Sequence, residues 1–141
     1  MANAYYPAFA AGLPNAEYDL NTATIKAALV RGYAYNAAHA TMDDMYAAGG
    51  VVNATATLAN VTLVGGVLDA EDTTLNTSLN ASSHVIVLYQ ASAVTGGADV
   101  AAANQKLIAY YDSGDGLPAQ PGAGTLKFTW SNATAKILKV G

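Results

Sequence analysis

Acid-base chemistry in this sequence would have to come from His39 with Asp43 and Asp44, because an imidazole beside a carboxylate can be oriented as a base. The other imidazole, His84, opens the apolar run HVIVLYQ and reads as a strand-end residue rather than a catalytic one. A nucleophile to work with either is missing from the pattern. There is no Cys, and no Ser stands in a Gly-flanked elbow of the kind that exposes a nucleophile between strand and helix. The absence of Cys also removes disulfides, thiolate metal ligands and thiol catalysis. The expectation is a protein that is not an enzyme.

Carboxylates cluster again at Asp69-Ala70-Glu71-Asp72, after VTLVGGVL and before Thr73-Thr74. A calcium site takes about six to eight oxygen ligands, more than this segment supplies, so it reads as an acidic turn capped by its own side chains. The stretch YYDSGDGLPAQPG, residues 110–122, looks more like an ion loop. Numbered from Asp112, the loop positions that should hold ligands and then a glycine carry Asp112, Gly114, Gly116 and Leu117, and only Asp112 fits. No Gly-Lys-Ser/Thr follows a glycine-rich segment, and no GxGxxG opens a helix after a strand, so phosphate loops are not supported either. No metal or cofactor is expected. The stretch reads instead as a stiffened rim connection. Gly114 and Gly116 permit positive φ, Pro118 and Pro121 deny N–H groups to stray edge pairing, and LIAYYD and TLKFTW on either side are expected to be adjacent antiparallel strands.

The elements that would position these groups are mostly strands. Runs of Val, Ile, Thr, Leu and Tyr, punctuated by Gly, Asn, Asp or Pro, predict strands near 24–31, 52–58, 61–69, 73–79, 84–90, 106–112, 124–130 and 135–140. HVIVLYQ is continuously apolar, as a strand buried on both faces should be. TLKFTW alternates, placing Leu126, Phe128 and Trp130 on one side and Lys127 and Thr129 on the other. ASAVTGGADVAAANQ, residues 91–105, is a small-residue excursion between two central strands.

Two short helices precede most of this. Tyr5, Tyr6, Phe9 and Leu13 repeat with helical spacing around Pro7, with Gly12 and Pro14 ending the segment as an aromatic plug. Thr41 can cap a second helix whose first turn carries Asp43 and Asp44, favourable at the positive end of the helix dipole, and Gly49-Gly50 stop it. The predicted fold is all-β, an antiparallel sandwich of jelly-roll type with one or two short N-terminal helices, forming one domain over residues 1–141.

Composition narrows the partners. The chain has 141 residues, 52% of them apolar and only 11% charged, against about 25% charged in ordinary soluble domains. Sparse charge suggests a surface that faces other protein. Net charge is -4 and the basic residues are Lys26, Arg31, Lys106, Lys127, Lys136 and Lys139, so a nucleic-acid duplex is not an expected partner. The start MANAYYPAFAAGLPNA lacks a basic n-region and a clean apolar core, and no apolar run approaches the ~18 residues of a membrane span. The chain is expected to be made in the cytosol and to be soluble, with no membrane partner. The Asn-x-Ser/Thr triplets at Asn53, Asn60, Asn76, Asn80 and Asn132 then reflect composition rather than glycosylation.

The ordered series YYPAFAAGL, DLNTATIKAALV (19–30), YNAAH with Tyr35 and His39, VTLVGGVLDAEDTT (61–74), HVIVLYQ, LIAYYD (107–112) and KFTW (127–130) resembles a group of small virion structural proteins of tailed bacteriophages and prophages. The resemblance implies a particle component that works by surface complementarity. The expectation is a capsid decoration, or cement, protein that binds the major capsid protein or other virion proteins as a small symmetric oligomer, a homotrimer. It would be made in the host cytoplasm and located on the virion. Contacts with partners are expected at Tyr5, Tyr6 and Phe9 of the N-terminal segment and at Asp112, Asp115, Pro118 and Pro121 of the rim loop. A tail or fibre accessory is the alternative station. From another class, a carbohydrate-binding module would stack sugars on the pairs Tyr5-Tyr6 and Tyr110-Tyr111.

Overall fold

The computed structural model describes residues 4–12, 23–59, 61–64, 67–70, 73–79, 84–92, 97–111, 122–128 and 138–139. Their elements are β1 (Ala4–Tyr5), α1 (Pro7–Gly12), β2 (Thr24–Arg31), α2 (Met42–Ala47), β3 (Val51–Thr57), β4 (Thr62–Val64), β5 (Val67–Asp69), β6 (Thr73–Leu79), β7 (His84–Ser92), β8 (Lys106–Tyr111), β9 (Gly122–Phe128) and β10 (Leu138–Lys139), with a 3-10 turn at Ala102–Asn104 before β8. The protein is therefore mostly strand with a few short helices. Its main body is a five-stranded antiparallel sheet in the order β1-β8-β7-β2-β3. A three-stranded sheet, β10-β5-β4, and a β6-β9 pair complete the pairing, and β6 lies close to β3.

Val85 to Ser92 are all buried, which is why this run shows no polar alternation: both faces of β7 are covered. On one face Ile86 and Leu88 pack with Phe9, Ile25, Leu29 and Ile108. On the other, Val85, Val87 and Tyr89 pack with Tyr6, Met42 and Met45. The helices are short because each has one task. α1 brings Phe9 to the first face, and α2 brings Met42 and Met45 to the second.

Register irregularities adjust which side chains reach which face. Leu88 pairs with Ala109 and Tyr89 with Leu107, leaving Ile108 as the extra residue of a bulge in β8. Two consecutive residues, Ile108 and Ala109, thereby join the same cluster, while Leu107 and Tyr110 serve the opposite face. Comparable shifts occur in β3 between the partners of Leu29 and Val30, and in β7 between those of Thr24 and Ile25.

Several sequence expectations change. The run 61–69 forms two strands, β4 and β5, which fold on each other with Val64 opposite Val67. LIAYYD and TLKFTW are not neighbours. β8 is hydrogen-bonded on one side to β7 and on the other to β1, so no edge remains for β9, which pairs instead with β6. Three pairings consequently nest in the chain: β7 with β8 innermost, β6 with β9 around it, and β5 with β10 around both. Leu13, Thr129 and Trp130 lie outside the described residues.

Phe9 has 1% of its surface exposed and is the large side chain that α1 contributes to its cluster. Truncation removes its transfer energy and leaves a cavity, so Phe9→Ala is expected to lower stability by about 3–5 kcal/mol in urea denaturation.

Candidate functional site

The residues singled out for chemistry meet beside the second face of the sheet. β2 ends at Arg31, the next residue, Gly32, turns the chain with a φ of +71°, and a Cβ there would come within 3.2 Å of the Gly49 carbonyl oxygen. The chain then passes over the second face through Tyr33 and Tyr35 and reaches the start of β8, where Thr41 bridges Lys106, before α2 begins. Thr41 is the N-cap of α2. Its hydroxyl accepts from the Asp44 amide, and the Asp44 carboxylate accepts from the Thr41 amide at 3.0 Å, a reciprocal capping box. The same carboxylate accepts the Ala40 amide at 2.8 Å. Backbone bonds from Met42 N–H to the Gln105 carbonyl and from Leu107 N–H to the Ala40 carbonyl fasten this corner to the start of β8.

His39 is hydrogen-bonded, but to a phenol and not to a carboxylate. Its Nδ1 lies 3.0 Å from the Tyr33 hydroxyl, and its ring stacks on Tyr33 with an interplanar angle of 18°. The Tyr33 hydroxyl in turn lies 2.8 Å from that of Tyr6, in a bond buried from solvent. Tyr35 and Tyr110 pack their rings against Tyr6 and Tyr33, and the Tyr35 hydroxyl donates to the Tyr5 carbonyl oxygen at 2.8 Å. Asp44 is occupied by its capping bonds, and Asp43 is exposed. The arrangement is therefore an aromatic and imidazole cluster that ties the N-terminal segment to the sheet. Among the described residues no carboxylate is hydrogen-bonded to the imidazole.

The expected contact residues divide. Tyr5 is 45% exposed. Tyr6 and Phe9, expected at a partner-facing surface, are core residues at 0% and 1% exposure, because successive strand residues take opposite faces and the helix turns Phe9 inward. Asp112, Asp115, Pro118 and Pro121 lie outside the described residues, as do Glu71 and Asp72 of the acidic turn. Neither Tyr pair forms a platform for a sugar ring. Tyr6 and Tyr110 are buried in one cluster, while Tyr5 and Tyr111 belong to the other side of the sheet. Among the described residues no His, Asp and Glu gather in a group of three or more that could hold a metal, and no helix is long and apolar enough to cross a membrane.

Tyr33 had no distinguishing signal in the sequence. It stands in GYAYNAAH, a stretch without helical or strand periodicity, and only the crossing path after Gly32 brings it between Tyr6 and His39. Another contact unreadable from spacing is Lys26 with Asp99, at 3.0 Å, which holds the excursion after β7 against β2 together with the bond from Val100 N–H to the Ala91 carbonyl.

Protonation follows from these surroundings. Amide bonds from Ala40 and then Thr41 hold Asp44 below the usual carboxylate range. A folded value below the unfolded one means stabilisation present at neutral pH and lost as pH falls through that value. The melting-temperature gap between the parent and Asp44→Asn should therefore narrow in acid. Burial pushes the phenols of Tyr6, Tyr33, Tyr89 and Tyr111 up. Here the sign reverses. The neutral phenols contribute their full stability below the unfolded value near pH ~10 and lose it as pH rises. In a phenolate absorbance titration these four should ionise together with the loss of circular dichroism, not ahead of it. The chain matches no protein-family model, no curated protein and no solved structure.

Proposed function

We infer that this protein is a structural component of a tailed-phage particle, a capsid decoration subunit that binds the head surface and stabilises the shell. The observation that carries the reading is the scarcity of charge among the described exposed residues. Among the described residues classed as exposed, Asp43 and Asp99 are the charged ones, and Asp99 is paired with Lys26. The rest are Ala, Gly, Thr, Asn and Pro, with Tyr5, Tyr46, Val51 and Val100 as the large apolar groups. Covering such a surface with another protein desolvates few ions, so contact proceeds without the penalty that buried charges impose. A subunit repeated over a shell needs only modest contacts at each copy, since every copy that binds the assembled state adds to its stability.

The nested strand pairs support the finer description of the fold, a sandwich of jelly-roll type. In a jelly roll a long hairpin folds over so that successive pairs fall in different sheets, and here β7-β8 and β6-β9 do so. The resemblance of the ordered motifs to small virion proteins points the same way, with other virion proteins and further copies of this chain, as a trimer, for partners.

Quantitative mass spectrometry of purified particles tests the assignment. A copy number comparable with that of the major capsid protein is expected. A few to some dozens of copies would place the chain on the tail or fibre instead, and its absence from particles would end the virion reading.

A further inference from the structure

We propose that copies of this chain join head to tail through an ion pair between Arg31 of one copy and Asp43 of the next. The fold leaves these two charges, opposite in sign, without partners. Lys26 is bonded to Asp99, Asp44 accepts two backbone amides, and Asp69 and Lys106 are engaged elsewhere. Among the described side chains Arg31 and Asp43 make no ion pair or hydrogen bond. Arg31 Nε is buried with no acceptor, and Asp43 is exposed. Burial has stripped water from part of the guanidinium, whose planar fork matches a carboxylate, so an incoming acid meets a cation that is not fully hydrated.

Within one chain the two groups cannot meet. Ala27 and Leu29 of β2 face the first cluster, so by alternation Arg31 stands on that face, whereas Met42 and Met45 place α2 on the second. They also stand toward opposite ends of the sheet. Arg31 is opposite His84, while Thr41, just ahead of Asp43, bridges Lys106, which is opposite Gln90. His84 and Gln90 are roughly 20 Å apart along β7 at the usual rise of a strand. A single twofold patch therefore cannot hold both groups, and the contact that pairs them is heterologous. Repeated, such a contact closes a ring or runs on as a filament, and three copies form the smallest ring. The proposal rests on the trimer of the preceding reading and gives that trimer its contact.

Each half also carries a large apolar group beside its charge. Val51, 42% exposed, is directly opposite Arg31 on β3, and residues paired in this way share a face. Tyr46, 44% exposed, follows Asp43 by three positions and lies on the same side of α2. Two of the large apolar groups exposed among the described residues thus flank the two unpaired charges. An ion pair closed between such neighbours loses water and is screened less by salt than one on an open surface. The cross-strand neighbours of Arg31 are Val51 and His84, so no acid stands opposite it in the sheet. Charge complementarity favours a second copy, because this chain supplies both signs. A different acidic protein would engage Arg31 and leave Asp43 without a role.

Sedimentation equilibrium of the full-length protein at physiological salt, from micromolar to millimolar concentration, tests this. The wild type is expected to associate as a trimer. Arg31→Glu and Asp43→Arg should each raise the concentration of half-dissociation by about tenfold or more. The protein carrying both substitutions has the charges exchanged and should return to within a few-fold of the wild type. A cation in the first turn opposes the helix dipole, so Asp43→Arg is read by mass rather than by melting temperature, with circular dichroism to show that each variant is folded. Arg31→Gln, which removes the charge and keeps a long polar side chain, takes the place of Arg31→Glu if that variant does not fold. Wild-type association that neither single substitution weakens, or that the exchange fails to restore, would overturn the contact and leave self-association standing. A wild type that stays monomeric to millimolar concentration would overturn the contact and the trimer together, with copy number in particles still deciding the virion assignment.

Discussion

The rest of the structure depends on a strand that must be hidden on both sides. Val85 to Tyr89 of β7 present apolar groups alternately to the two faces of the sheet, and Ile86, Val87 and Leu88 are without solvent contact. Each fully buried side chain of this kind stabilises the fold by about 1.5–3 kcal/mol, but only where another layer covers it. One sheet cannot provide that layer for itself. The first face is closed with the help of Phe9 and Leu58, and the second by Tyr6, Met42 and Met45, so the flanking segments are folded by the demand of β7 more than by their own propensity. α1 and α2 span six residues each, below the length at which a helix persists alone, which fits elements held by what they cover.

How much of this was legible follows the range of the interactions. β2, β6 and the start of β7 were readable because propensity and turn residues act within a few positions. The Thr41 cap was readable for the same reason, since box partners lie three residues apart. The partner of β8 was not readable. A rim loop rich in Gly and Pro says that two strands are connected, but not that β1 has already taken the available edge. Tyr6 and Phe9 were placed on an aromatic plug, yet the same residues were expected to meet a partner; burial decides between those roles, and burial is tertiary. The Tyr6, Tyr33 and His39 chain depends on a separation of 27 residues between its phenols, which no local pattern marks.

Buried polar groups have to satisfy one another. Tyr33 sits between a buried phenol and a part-buried imidazole, and its oxygen meets both. Asp44, at the start of α2, accepts from the Ala40 and Thr41 amides. Tyr33, His39 and Asp44 thus join the N-terminal segment, the chain after β2 and the start of α2.

Nested pairing also imposes an order on assembly. β7 and β8 are separated by the shortest connection among the three nested pairs, and they share the central sheet; closing this inner loop brings the ends of β6 and β9 near each other. Once that has happened, pairing β6 with β9 fixes a much smaller remaining loop than direct closure from the unfolded chain would, because closure entropy grows with the length of free chain. The β5-β10 pair then forms across ends already brought together. β1 stands apart from this sequence. It adds to β8 from the far side, with Tyr6 and Phe9 entering clusters whose other members come from β2, β7 and β8, so the socket has to exist before the plug can be held. The N-terminal segment stands outside the nested set, and for that reason a local opening begins there rather than at any nested strand, at the cost of the cover that Tyr6 and Phe9 give β7.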